Sequence, residues 1–179
     1  MKMNSILAGG VAVLLALTSC NSGSSNKNAS DHEGHAHESA PSQAGNPKFK
    51  DQKSEAVYQH YIHLKSALVN SDAKEAQSGA SMLSAAFTDA GNNKGAELAG
   101  KIASSSDLKA QRENFDEVTA EVESFIKTGG LQSGTVYKQY CPMAKDGDGA
   151  YWLASETDIK NPYYGDEMLE CGEVKEEIK

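Results

Sequence analysis

The sequence predicts a mainly α chain, an antiparallel bundle of three to four helices carrying a small C-terminal β-hairpin or irregular lobe. Three observations lead there. Three long apolar stripes and one short one, each with helical period, follow one another from about residue 51 to Gly130. Capping residues and glycines punctuate them. After Gly130 the pattern turns to short aromatic and β-branched runs.

The chain opens with Lys2 and an apolar run from Ile6 to Leu17, then Thr18, Ser19 and Cys20. Residues 1–19 read as a secretory signal, too short for a membrane span. The ending LTSC resembles the lipobox of bacterial lipoproteins, which implies an acylated Cys20 as the new N-terminus; an ordinary signal with a chance cysteine is the alternative. Two or three acyl chains anchor durably where one holds only marginally. Asn21 resembles the pattern of outer-membrane lipoproteins, so the expected location is the bacterial envelope, lipid-anchored in the outer membrane and facing the periplasm.

Residues 20–49 are rich in Ser, Asn, Gly and Ala, cannot offset their ordering entropy by burial, and read as a flexible tether. Within it DHEGHAHE places His32, His35 and His37 in one acidic stretch. The net charge of -8 argues against a nucleic-acid partner and favours cations weakly.

Residues 50–179 are the folded domain. Helix one, about 51–70, carries Val57, Tyr61, Leu64 and Leu68 on one face, widened by Tyr58 and Ile62. Asp72 with Glu75 resembles a capping box, and Ala76, Ala80, Leu83 and Phe87 make helix two, about 73–90. A short helix over about 95–104 has only Leu98 and Ile102 as large apolar residues. Ser105 or Ser106 caps a long fourth helix with Leu108, Gln111, Phe115, Val118, Val122 and Phe125, ending at Gly129 and Gly130. In the lobe, about 131–179, Thr135–Tyr140 and Ala150–Leu153 predict a hairpin around DGDG, Asp146–Gly149, which lacks the further oxygen ligands of a calcium loop. NPYYG, Asn161–Gly165, is another turn signal.

Chemistry concentrates in sulfur. Cys141 and Met143 are separated by one residue, Met168 and Cys171 by two, and thiolate with thioether suits Cu(I) and similar soft ions. Pro142 stiffens the first pair. The alternative is a Cys141–Cys171 disulfide, since an exported chain with Cys20 acylated keeps two cysteines. His32, His35 and His37 resemble short His-rich tracts that gather Cu(II), Zn(II) or Ni(II), and His60 and His63 lie three apart on helix one, within reach of one ion. HExxH, CxxC, GxSxG and a Gly-rich phosphate loop are all missing, so the sequence supports no enzyme.

VYKQYCPM, GAYWL, IKNPYYGDEML and CGEV, together with VYQHYIHLKSALVNSDAKEAQ, resemble the domain-of-unknown-function family 3347 over nearly all of residues 50–179. That family occurs in lipid-anchored periplasmic proteins and appended to the membrane-fusion adaptors of heavy-metal efflux pumps. YCPM is also similar to the YxCPM motif of the small heavy-metal-binding domain of copper and silver efflux adaptors, with Ala144 and Lys145 here where His usually follows. The resemblance implies handling of copper or a similar soft metal, with Cys141, Met143 and Cys171 on matching positions, and no catalytic residue. The expectation is therefore a lipid-anchored module that binds copper through Cys141, Met143, Met168 and Cys171 and buffers it or delivers it to an efflux adaptor. Its rival is a structural or interaction module closed by a Cys141–Cys171 disulfide.

Overall fold

The computed structural model describes residues 46–179. Its helices are α1 (Gln52–Val69), α2 (Ala73–Asp89), α3 (Asn93–Ala103) and α4 (Leu108–Gly129), so the chain is mainly α, with a β-bearing C-terminal lobe. Each helix starts on an acid or amide whose side chain accepts the N–H three residues on: Asp51 from Ser54, Asp72 from Glu75, Asn92 from Gly95 and Asp107 from Ala110. The fourth cap corrects the expectation of Ser105 or Ser106. Ser105 spends its hydroxyl accepting the Asp107 N–H at 3.2 Å, and the longer, charged Asp107 side chain serves the helix N-terminus better.

Consecutive helices run antiparallel, because their partners fall in opposite order: Gln77 on the Ala103 carbonyl and Ser84 on that of Ala96, then Lys94 on Glu121 and Lys101 on Glu117. A side chain at Gly79 would come within 3.1 Å of the Leu64 backbone, so glycine there sets how closely α2 approaches α1. Val57, Tyr61, Leu64, Leu68, Ala76, Ala80, Leu83 and Phe87 are all buried, as their spacing predicts. On α4 the spacing misjudges the last turn: Ile126 is buried, while Phe125 packs half-buried on Phe87 with ring centres 5.8 Å apart.

The hairpin of β3 (Val136–Cys141) and β4 (Ala150–Ala154) forms as expected. Two features of the sheets escape the sequence. A strand β5 (Glu173–Ile178) pairs with the other side of β3, giving the order β4-β3-β5. Lys48 and Phe49, expected in the tether, form β1 (Lys48–Phe49) against β2 (Leu131–Ser133), and Phe49 is buried 5.1 Å from the Tyr58 ring.

β4 is an edge strand, and its outward backbone groups would be orphans in the core. Two tyrosines take them. The Leu153 N–H donates to the Tyr61 hydroxyl at 2.9 Å, and the Tyr163 hydroxyl donates to the Tyr151 carbonyl at 2.8 Å. Tyr61 also hydrogen-bonds Thr119 on α4 at 2.9 Å and stacks on Phe115. Burial pushes its hydroxyl far above the ordinary tyrosine range, so it keeps its proton. The segment 155–172 returns over the sheet, held by Gln139. Its amide accepts the Trp152 indole N–H at 2.6 Å and donates to the carbonyls of Glu156, Thr157 and Asp158. Lys65, buried on α1, ties the same segment down through Glu156 at 2.8 Å. Among the described residues no helix is long and apolar enough to cross a membrane.

Tyr61→Phe strands the buried Leu153 N–H and the Thr119 hydroxyl, and should cost about 1–3 kcal/mol in urea unfolding. A loss under about 0.5 kcal/mol would mean that water or a shifted strand satisfies both. A second expectation concerns pH. Burial raises the Glu123 carboxyl, but hydrogen bonds from Lys127 and Lys138 outweigh it and hold the group below its ordinary range. A carboxyl depressed on folding stabilises above its unfolded pKa and loses that contribution as pH falls through the folded one. Glu123→Gln should therefore be less stable than the parent at neutral pH, and the two unfolding curves should converge below roughly pH 4. A constant gap down to pH 2 would refute the assignment.

Candidate metal centre

Cys141 is the last residue of β3. Its register is Cys141↔Ala150 on one side, and Tyr140↔Glu173 on the other brings the Cys171–Gly172 turn alongside. Gly172 has φ +152, and a side chain on it would meet Trp152 at 2.8 Å and the Tyr140 carbonyl oxygen at 3.1 Å. Only glycine lets the chain pass this close as it enters β5.

Each sulfur pair occupies a turn. The Ala144 N–H donates to the Cys141 carbonyl at 3.3 Å, closing Cys141–Pro142–Met143–Ala144. The Cys171 N–H donates to the Met168 carbonyl at 3.0 Å, closing Met168–Leu169–Glu170–Cys171. Cys141 is buried and Cys171 half-buried, and both are free thiols. The two thiols are neighbours: the nearness of Cys141 is the largest influence on the Cys171 thiol and pushes it above its ordinary range, with burial adding, while the Met143 backbone pulls the other way. Met143 is 52% exposed and Met168 half-buried beside Cys171.

The turn after β4 holds both sulfur turns. Asn161, fully buried, donates from Nδ2 to the Cys171 carbonyl at 3.1 Å, accepts the Tyr163 N–H on Oδ1 at 2.8 Å, and donates its own N–H to the Leu169 carbonyl at 2.8 Å. Tyr164 donates its hydroxyl to the Met143 carbonyl at 2.5 Å. Arg112 of α4 fixes the turn through the Pro162 carbonyl at 2.9 Å. In front of Tyr164 opens a cleft of about 380 Å³, lined also by Arg112, Lys145, Asp146 and Glu167. Burial, then Asp146, the two thiols and Glu167, push the Tyr164 hydroxyl upward, so it remains a donor.

The other expected ligands lie elsewhere. His63 hydrogen-bonds Glu75 at 2.6 Å, whereas His60 lines the α1–α2 groove with Met82 and Asp89. The two imidazoles thus have different neighbours. His32, His35 and His37, and Cys20 with the signal segment, lie outside the described residues. Among the described residues no three His, Cys, Asp or Glu side chains are grouped to hold an ion. An ion at the thiols would have two thiolates and take any further side-chain donor from Met143 or Met168, a soft set that suits Cu(I). DGDG is a turn, with Asp146 at φ 58 within a short 3-10 segment. Sequence reasoning missed Asn161 and Tyr164 as supports. NPYYG signals a turn, but nothing in it says that the Asn is buried.

Replacing Cys141 removes the neighbour that raises Cys171. In Cys141→Ser the pH midpoint for alkylation of Cys171 should move down toward the ordinary cysteine range, near 8.5. An unchanged midpoint would show that the two sulfurs do not interact.

Residues 57–134 match the sequence profile of the family described as protein of unknown function (DUF3347). The match runs from within α1 through β2 and ends before β3, so it covers most of the bundle and leaves out both sulfur turns. No curated protein and no solved structure matches the chain. Over residues 57–134, less than half of its length, the chain is similar to the DUF3347 family of unknown function.

Proposed function

We propose that this chain is a lipid-anchored protein of the bacterial envelope that binds a soft metal ion, copper(I) foremost, and buffers it or delivers it to a heavy-metal efflux adaptor. One observation carries the proposal: the pairing of β3 with β5 brings Cys141 and Cys171, far apart in sequence, close together as free thiols, each in a turn that also carries a methionine, Met143 or Met168. Two thiolates and thioethers prefer Cu(I) over harder divalent ions. The ion is cargo, and the chain's part is to hold the sulfurs together and to release their protons as the ion enters. Export and anchoring rest on the apolar run and LTSC, and the His tether would gather ions nearby.

A second reading rests on the same closeness. Two neighbouring thiols in an oxidising compartment can close a Cys141–Cys171 disulfide, which would stabilise the lobe by roughly 3 kcal/mol in the chain-entropy model and leave an interaction module without metal.

Copper titration of the full reduced chain against a chromophoric Cu(I) chelator separates the two. One Cu(I) should bind, with affinity lost in Cys141→Ser, lowered in Met143→Leu, and rising up to about tenfold per pH unit for each thiol proton displaced. Equal, weak binding by parent and variants, together with a mass two protons lower without reductant, would establish the disulfide module instead.

A further inference from the structure

The geometry points to Asn161 and Tyr164 as positioning residues that clamp the two sulfur turns together, one residue gripping each turn; this rests on the metal-binding proposal for its purpose. The turns come from distant parts of the chain, Cys141–Ala144 after β3 and Met168–Cys171 before β5. Backbone pairing of β3 with β5 stops at Tyr140↔Glu173, one residue short of the first thiol and two short of the second. Beyond that point the NPYYG segment supplies the connection. Asn161 Nδ2 holds the Cys171 carbonyl at 3.1 Å, and three residues later the Tyr164 hydroxyl holds the Met143 carbonyl at 2.5 Å.

The segment between them is itself rigid. Asn161 Oδ1 accepts the Tyr163 N–H, the Asn161 carbonyl accepts the Gly165 N–H at 3.0 Å, and Arg112 anchors Pro162 to α4 while donating to the Leu68 carbonyl and the Ser71 hydroxyl at the end of α1. The buried Tyr163 ring packs 5.9 Å from Phe115 and 6.3 Å from Trp152. The spacing of the sulfur turns is thereby referred to the bundle. Neither clamp residue offers a sulfur of its own. They act on ligand geometry alone, as supports that fix a site before its ligand arrives.

Two variants remove one grip each. Tyr164→Phe deletes a single hydroxyl from a half-exposed ring, and Asn161→Asp keeps the acceptor for Tyr163 while losing the donor to Cys171. Two readouts on the reduced full chain apply: Cu(I) affinity by chelator competition, and capture of phenylarsine oxide, whose arsenic needs two thiols at one short separation. Thermal unfolding accompanies both. The expected result for Tyr164→Phe is about tenfold weaker Cu(I) binding and about tenfold weaker arsenical capture, with Tm within a few degrees of the parent. Asn161→Asp should lose at least as much. The clamp is overturned if Tyr164→Phe, folded, matches the parent in both readouts, and that variant decides alone should Asn161→Asp fail to fold. If the parent binds no Cu(I), the proposed function falls, while arsenical capture still decides the clamp.

Discussion

The edge of β4, pinned by tyrosine hydroxyls, is the constraint on which the rest of the molecule depends. A three-stranded sheet on a helical bundle must bury one edge, and that edge carries backbone groups that water can no longer reach. Tyr61, from the middle of α1, takes the Leu153 N–H and ties it to Thr119 on α4. Tyr163 takes the Tyr151 carbonyl two residues earlier. One tyrosine belongs to the bundle and the other to the segment that folds back over the sheet. The same two contacts thus fix β4 on the helices and the returning segment on β4. β3 is placed by pairing with β4, and Cys141 is placed by β3.

The sulfur pair follows from that placement. Cys141 arrives on a central strand and is buried, while Cys171 arrives at the mouth of an edge strand and stays half-exposed. One thiol is held rigidly and the other has access to solvent. The cleft before Tyr164 sets Glu113, Asp146 and Glu167 against Lys109, Arg112 and Lys145, so its lining is balanced in charge.

The helical part was legible because burial on one face forces a period. The α1 and α2 stripes predicted most of the buried apolar residues there, with Ile62 only half-buried, and Asp72 announced its helix. Where two apolar residues were adjacent, as at Phe125 and Ile126, the period could not say which turns inward. The strand β5 was illegible for a physical reason: residues 173–177 are exposed, and the strand is held by backbone hydrogen bonds that any side chains permit. The encounter of Cys141 and Cys171 depends on that strand, so sequence left bridge and ion as open alternatives. Gln139 and Asn161 are fully buried amides that organise the returning segment, and nothing in a single sequence distinguishes them from surface amides. The family match reaches the bundle and stops before these features.

The central claim is that sulfur from Cys141 and Cys171 forms one soft metal centre. X-ray absorption at the copper edge, on the reduced full chain loaded with one equivalent of Cu(I), reads the ligand atoms directly. The account predicts a shell made of sulfur alone, which loses sulfur in Cys141→Ser and again in a Cys171→Ser variant. A shell of nitrogen and oxygen, unchanged by either substitution, would contradict it.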